Sequence, residues 1–366
     1  MWNRSTDNAS ALDADSSMTR NPNAWMLSDL DGVPRNGIKV FTTFACGGGS
    51  SMGYKRAGCE VVAANDIDPQ MQKHYVANLK PKHYYLCPIR DLIGRNDLEQ
   101  FKNIDILDGS PPCSTFSMTG NRESDWGKEK HFREGQAKQV LSDLFFDFLD
   151  LAENLKPKVI IAENVEGMLR GQAKGYCKLV VTRMREMGYR PQVFLLNAAD
   201  CGVPQRRKRV FFCAVRDDVS KATLSLNPTS KWVSAGEAIA GLPDVVNSTD
   251  CMPTLCDKKW WPLTKPGECF SKAVLKTEGR NSLFQHFRLD EKQPAPTLSA
   301  NSALFTHWSI CRKLSFAEWK RLGSFPDDYH AESEKIGKYM IGMSVPPKMT
   351  EYVARQVCSQ WFGVKS

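Results

Sequence analysis

From Ile38 onward the chain falls into short, nearly unbroken apolar runs, separated by glycine-rich or polar stretches and by segments of helical spacing. Ile38-Lys39-Val40-Phe41-Thr42-Thr43-Phe44 reads as a buried strand, and the glycine cluster after it reads as a turn into a helix. A second run, Val61-Val62-Ala63-Ala64, ends at Asn65-Asp66, and a third, Ile104-Asp105-Ile106-Leu107, ends at Asp108-Gly109. Leu141, Leu144, Phe145, Phe148, Ala152 and Leu155 then recur at steps of three and four, which predicts a long amphipathic helix stopped by Pro157. Further strands are expected at Lys158 to Ala162, Val193 to Leu196 and Val210 to Val215. Strands alternating with helices imply an α/β fold, a mostly parallel sheet covered on both faces.

Two regions break this rhythm. Residues 1–36 are rich in Ser, Asn, Asp and Thr and predict a polar, flexible extension, with Trp25, Met26, Leu27 and Leu30 able to form a short helix that docks on the body. After about Arg216 the texture changes to frequent Pro, Trp, Thr and Lys without a long periodic helix. Residues 216–309 therefore read as a smaller lobe of loops and short strands, following a larger α/β domain at 37–215. Helical character returns at Ser315 to Leu322 and at Lys348 to Val357, so residues 310–366 are expected to return to the first domain.

Composition narrows the class without naming it. With 42% hydrophobic and 25% charged residues, the 366-residue chain has the make-up of a soluble globular protein. No apolar run reaches the roughly 18 residues of a membrane span, and the first residues show no basic-then-apolar leader. A cytoplasmic setting is expected, where the twelve cysteines stay reduced. Cys251, Cys256 and Cys269 lack the spacing of a zinc ribbon, and no metal site is expected. The formal charge of +8 permits a nucleic-acid partner but does not require one.

Four short elements carry candidate chemistry, three following an expected strand and the fourth leading into one. Cys46-Gly47-Gly48-Gly49 lets the backbone turn sharply beside a bound nucleoside, and Asp66 at the next strand's end suits ribose hydroxyls. Taken alone the pattern is equally a tight turn and a surface carboxylate, and it lacks the spacing of a dinucleotide fingerprint. Asp108-Gly109-Ser110-Pro111-Pro112-Cys113 holds a cysteine on a stiff turn at the carboxyl edge of the sheet, where a thiolate can act as nucleophile. An isolated cysteine is more often inert, but the paired prolines favour function. Glu163-Asn164-Val165 places a carboxylate in the same crevice, as an acid or a grip for an amidine-like edge. Gln205-Arg206-Arg207-Lys208-Arg209 leads into another strand, with Arg207 and Arg209 on one face for phosphate or cofactor; a solvated basic stretch is the bland alternative.

These four elements in this order resemble the motifs of the DNA (cytosine-5)-methyltransferase family, of bacterial or phage type. The likeness begins at Phe44-Ala45-Cys46-Gly47-Gly48-Gly49. It extends to Arg312-Lys313-Leu314-Ser315 and to Gly342-Met343-Ser344-Val345-Pro346, and covers roughly Val40 to Val357. The resemblance implies a Rossmann-like S-adenosylmethionine-dependent methyltransferase sheet with a smaller, loop-rich target-recognition domain. It implies that Cys113 attacks C6 of a cytosine flipped out of double-stranded DNA, that Glu163 holds the ring's N3 and amino edge, and that Arg209 and Arg207 steady the flipped nucleotide. By the same likeness, Phe44, Ala45, Cys46, Gly47, Gly48, Gly49, Asp66, Ile67, Ile89, Ser110, Pro112, Leu144, Ser344 and Val345 line the S-adenosylmethionine site. Pro111, Ser114, Phe116, Ser117, Asn164, Val165 and Gln205 would meet the substrate. A cognate restriction endonuclease is a further implied partner.

Three positions depart from the family pattern. Cys46 stands where the loop's first glycine is usual, Pro88 where an aspartate meets the adenine, and Met343 where an asparagine belongs to the closing motif. Asp91 is a candidate replacement for the adenine contact. Two alternatives stay open at this point: a tRNA cytosine-5 methyltransferase, although the Cys-Phe-Thr signature of that branch is not found, and a catalytically inactive DNA-binding regulator.

Overall fold

The computed structural model describes residues 21–112, 129–130, 139–140, 144–171, 173–243, 245 and 249–365. Its centre is a seven-stranded sheet. The strands are β1 (Lys39–Thr43), β2 (Glu60–Asp66), β3 (His83–Leu86), β4 (Ile106–Gly109), β5 (Val159–Val165), β6 (Tyr189–Asn197) and β7 (Lys208–Arg216). Their spatial order is β3-β2-β1-β4-β5-β7-β6. The first five run parallel, while β7 lies antiparallel to both β5 and β6. Of the seven strands β7 is the one that runs against the rest, so the sheet is mostly parallel, as the alternation of strands and helices implies.

Near-continuous apolar strands are buried on both faces because helices cover both. On one face α3 (Leu144–Leu155) and α4 (Ala173–Glu186) pack Phe148, Leu151, Val180 and Met184 against Phe41, Leu107, Ile160 and Phe212. On the other face α1 (Gly49–Arg56) and α10 (Pro347–Phe362) bring Tyr54, Met349, Val353 and Val357 against Val40, Ile106, Val159 and Ile161. α10 reaches that face from the far end of the chain and is held to α1 by an Arg56–Glu351 ion pair of 2.6 Å.

The sequence pattern locates six of the seven strands. It passes over β3, whose four residues His-Tyr-Tyr-Leu show no clean alternation and sit at the sheet's edge. It also passes over α2 (Pro69–Leu79) and α9 (Glu334–Met343). Both are amphipathic, but tyrosine, histidine and lysine occupy part of their buried faces.

The polar extension expected over residues 1–36 is docked from Asn21 onward. A short 3-10 turn, Leu27–Leu30, places Leu30 in the core, and Trp25 is buried with its indole Nε1 donating to the Ser324 carbonyl at 3.0 Å. Asn21 donates to the carbonyls of Glu237 and Ala240, so the same strap touches the lobe.

The lobe itself is loop-rich with short strands, and it also carries three short helices: α5 (Ala235–Ile239), α6 (Leu255–Trp260) and α7 (Phe270–Glu278). Among the described residues of the lobe, Trp260, Phe270, Ala273 and Val274 form a cluster of their own. Ala235, Ala238, Leu298 and Phe305 instead share one core with Trp25, Met52, Trp319 and Met340. α8 (Phe316–Leu322) starts on a Ser315–Glu318 capping box, and Glu318 also pairs with the buried Arg312 at 2.7 Å.

Candidate active site

The carboxyl ends of β1, β2, β4 and β5 lie along one edge of the sheet, the usual ligand edge of such folds. Glu163, on β5, is 8% exposed, and its Oε1 meets Arg209 Nε of the neighbouring antiparallel strand at 2.9 Å. Burial lowers the Arg209 pKa, and the Glu163 charge pulls it back up. Arg207 lies close enough for both charges to act on it: burial and then Arg209 disfavour its charged form, while Glu163 favours it. Its Nη1 donates to the Leu298 carbonyl at 2.9 Å, and its Nε is buried without a partner among the described residues. A guanidinium held this way, short of acceptors, suits an incoming anion.

Asn164 turns its amide the other way. Its Nδ2 donates to the Pro111 carbonyl at 3.1 Å, and its Oδ1 accepts from the Val165 N–H at 2.9 Å. It thereby ties the strand carrying Glu163 to the proline turn. Pro111 is buried, Pro112 is exposed and Ser110 is half-buried. Cys113, Ser114, Phe116 and Ser117 lie outside the described residues.

The glycine loop is shaped by contacts with the chain's own closing segment. Phe44 and Cys46 have φ of 52° and 45°, and Gly48 has 82°, so alternate residues are left-handed between β1 and α1. For Cys46 that conformation costs about 1–2 kcal/mol, partly offset because its N–H donates to Asp66 Oδ2 at 2.7 Å. Asp66 Oδ1 accepts from the Asp68 N–H at 3.0 Å, and burial raises the Asp66 pKa. Asp66 thus braces the loop as well as standing at the strand end. A side chain on Gly49 would fall 2.2 Å from the Val345 carbonyl oxygen, and one on Gly47 would fall 3.1 Å from the Tyr329 hydroxyl. Tyr329 donates to the Gly47 carbonyl at 2.7 Å. Ser344, beside these glycines, buries an Oγ with no hydrogen-bond partner among the described residues.

An apolar wall adjoins this cradle. Ile89 and Leu144 are buried in one cluster against which Phe44 packs, and Ile67 is half-buried at the end of the Asp66 strand. Left-handed backbone, an unpartnered hydroxyl, a strand-end carboxylate and an apolar wall together fit a nucleoside-bearing methyl donor. Of the departures, Asp91 is exposed in the turn after Pro88, and Met343 is 51% exposed at the end of α9.

Some expected contacts are otherwise engaged. Gln205 is 2% exposed; its Oε1 accepts from the Leu298 N–H at 3.0 Å and its Nε2 donates to the Leu322 carbonyl, so the amide serves the fold. In the lobe, Trp260 is a core residue at 3% exposure, and Trp261 lies under Arg288 at 3.7 Å with its Nε1 bound to the His307 carbonyl. Lys259, Lys272 and Arg280 are exposed and pair with Glu278, Glu268 and Glu278. One polar residue that sequence reasoning gives no role is Asp108. It is 3% exposed, and its carboxylate accepts from Thr42 Oγ1 and from the Tyr54 hydroxyl, both at 2.9 Å. A carboxylate ending an otherwise apolar strand was the available signal.

This sheet order, with a glycine loop after the first strand, is that of a methyltransferase of the S-adenosylmethionine-dependent kind. The C-5 cytosine-specific DNA methylase family matches residues 38–359, and the chain belongs to that family. It is a site-specific DNA (cytosine-5)-methyltransferase. Among curated relatives, the Type II methyltransferase M.NgoFVII of Neisseria gonorrhoeae is 29% identical over 348 residues, spanning 88% of this chain and 87% of that protein. The Type II methyltransferase M.FnuDI of Fusobacterium nucleatum is 26% identical over 343 residues, spanning 87% and 94%. In fold, the chain resembles a DNA modification methyltransferase encoded within an Escherichia coli prophage, with a TM-score of 0.70 at 20% identity over 88% of this chain and 99% of that one. It also resembles the S. pombe Dnmt2 methyltransferase, with a TM-score of 0.60 at 16% identity over 88% and 98%. Family membership supports DNA as substrate over the tRNA and inactive-regulator alternatives. The family uses S-adenosylmethionine. Among the described residues no helix is long and apolar enough to cross a membrane.

Proposed function

We propose that Cys113 is the nucleophile that bonds to C6 of a cytosine everted from duplex DNA, with Glu163 as the acid at N3. The observation that carries this is the Glu163–Arg209 pair at the crevice, with Asn164 of the same strand holding the turn that precedes Cys113. Cytosine C5 is a poor nucleophile by itself. A thiolate adding at C6, with a proton held at N3 by Glu163, pushes electron density to C5 and splits one hard step into two easier ones. S-adenosylmethionine, when bound, supplies the methyl group that C5 takes. Loss of the C5 proton to a base then restores the ring and expels the Cys113 sulfur.

Arg209 orients Glu163, and the partly unsatisfied guanidinium of Arg207 suits a phosphate of the everted nucleotide. The cradle of Phe44, Cys46, Gly47, Gly48, Gly49, Asp66, Ile67, Ile89, Leu144, Ser344 and Val345 would hold the donor, with Ser344 Oγ an available hydrogen-bonding group. The lobe at 216–309 would read the DNA sequence, working in the cytoplasm beside the nucleoid and in company with a cognate endonuclease. Its exposed Lys and Arg residues serve phosphates, whereas Trp260 and Trp261 serve its core.

A duplex carrying 5-fluorocytosine at the target tests the scheme, because fluorine at C5 blocks the proton loss that releases the enzyme. A covalent adduct at Cys113 is expected with wild type and none with Cys113→Ser, while cofactor binding stays near wild type. Glu163→Gln should slow methylation by about two to four orders of magnitude. Methylation persisting in Cys113→Ser would remove the nucleophile from the scheme.

A further inference from the structure

We propose that Cys59 and Cys358 form an oxidisable thiol pair, a modification site for small peroxides whose disulfide staples α10 to the sheet. Cys59 stands between the tight turn at Gly58 and the start of β2, and Cys358 lies in the last part of α10. The two positions are 299 residues apart, yet their Sγ atoms are 3.6 Å from each other. Both belong to the cluster under α1 and α10, at 0% and 2% exposure. A disulfide holds its sulfurs about 2.05 Å apart, so closure asks for an approach of about 1.5 Å.

A buried cysteine is usually a small apolar filler. Cys177, Cys201 and Cys213 fill the two cores of the sheet in that way, and burial pushes their thiols up. The Cys59 and Cys358 pair differs in its surroundings. Asn36 Nδ2 reaches both sulfurs, at 3.6 Å from Cys59 and 3.8 Å from Cys358, while donating to the Ala57 carbonyl at 2.9 Å. The hydrogen bond from Cys358, foremost, and that from Asn36 hold the Cys59 thiol below its usual range, with help from Arg355 and against burial and Asp105. The same bond and burial push the Cys358 thiol up. Cys358 thus keeps its proton, and Cys59 is the attacking sulfur.

The cover over the pair is thin. Asn36 is half-buried, and its neighbours Pro34, Arg35 and Gly37 are exposed. This stretch is held by the Asn36 N–H, which donates to the Gly58 carbonyl at 2.9 Å, and by Arg35 Nη1, which donates to the Cys59 carbonyl at 3.4 Å. Local opening of so few bonds admits a molecule of peroxide size without unfolding the sheet.

The Cys59 thiolate attacks one peroxide oxygen and the O–O bond breaks. The departing hydroxide takes up the proton that Cys59 gave up, leaving water and a sulfenic acid on Cys59. The Cys358 sulfur then attacks the Cys59 sulfur, the S–O bond breaks, and the leaving hydroxide takes the Cys358 proton as a second water. Two thiols lose two electrons and two protons, and one peroxide becomes two waters. In a reducing compartment the pair stays as thiols until peroxide rises. The bond closes a very long loop, which constrains chiefly the unfolded chain. It also anchors the helix that begins at Pro347, directly after Ser344 and Val345 beside the glycine loop.

The test treats the native protein with hydrogen peroxide, quenches it with N-ethylmaleimide in denaturant, and maps its peptides without reductant by mass spectrometry. A peptide pair joined through Cys59 and Cys358, and parted by dithiothreitol, is expected. Oxidation at other cysteines with this pair still reduced would overturn the proposal. Cys358→Ser removes the second sulfur and should leave a dimedone-reactive sulfenic acid on Cys59; no label there overturns its role as the attacking sulfur. Should that variant not fold, the wild-type map decides by itself. Oxidation should raise the thermal midpoint of wild type by about 5 °C relative to Cys358→Ser treated alike. A linkage that forms without this rise would overturn the staple. Activity is not the readout, because Cys113, the proposed nucleophile, would oxidise as well.

Discussion

Asn164 donates through Nδ2 to the carbonyl of Pro111 at 3.1 Å, linking the strand that carries Glu163 to the turn that leads into Cys113. The bond is buried, and the Asn164 Oδ1 is occupied by the next backbone N–H, so the amide cannot rotate away without losing both. One side chain thus sets the spacing between two candidate catalytic elements that lie about fifty residues apart in the chain.

Removing that amide should loosen the turn without touching either reacting group. Asn164→Ala is expected to lower the methylation rate constant by about 10- to 100-fold, the usual consequence of misplacing a reacting atom by about an ångström. Affinity for S-adenosylmethionine should change little. Rapid-quench methylation alongside calorimetric titration of the cofactor checks both, and an unchanged rate constant would count against the positioning role.

The glycine loop allows a test of a different kind. A methyl group on Gly49 would fall 2.2 Å from the Val345 carbonyl oxygen and 2.8 Å from Ser344 Cβ, neither of which is the free end of a flexible chain. Gly49→Ala should destabilise the protein by about 1–3 kcal/mol, the range for overpacking, and should weaken cofactor binding by displacing the closing segment. Equilibrium urea unfolding measures the first effect. A midpoint equal to wild type would show that the segment moves aside freely.

Asp108 links stability to pH. Its folded pKa of about 7 lies above the unfolded value of about 3.9, so the folded state binds the proton more tightly between them. The resulting stability is fully present below the unfolded pKa and is lost as pH rises through the folded pKa, by about 1.4 kcal/mol per pH unit. Asp108→Asn should flatten this slope and, at about pH 8.5, unfold at higher temperature than wild type. Thermal unfolding across the range decides the matter; parallel curves for the two proteins would place the pH dependence elsewhere.

Much of the fold was legible because its signals are local. Val40-Phe41, Ile106-Leu107 and Val159-Ile160-Ile161 sit in a central sheet buried on both faces, and such strands appear as plain apolar runs. The edge strand His83–Leu86 lacked that signal because it is covered less. The docking of Trp25 was harder to foresee, since its partner, the Ser324 carbonyl, lies 299 residues away. Likewise Trp260 and Trp261 resemble surface aromatics among lysines until Phe270, Val274 and Arg288 are brought beside them.

By itself the sequence determined six of the seven sheet strands, the glycine loop, the proline turn and the family, because turn chemistry and apolar periodicity are properties of neighbouring residues. Only the tertiary structure decided that Gln205 braces the fold, that Asn164 holds Pro111, that Gly49 meets Val345 and that Asp108 lies one pleat behind Glu163. Each of these depends on which distant segment is packed against a residue. Strand register and helix packing set that, and they also set how far burial shifts a charge.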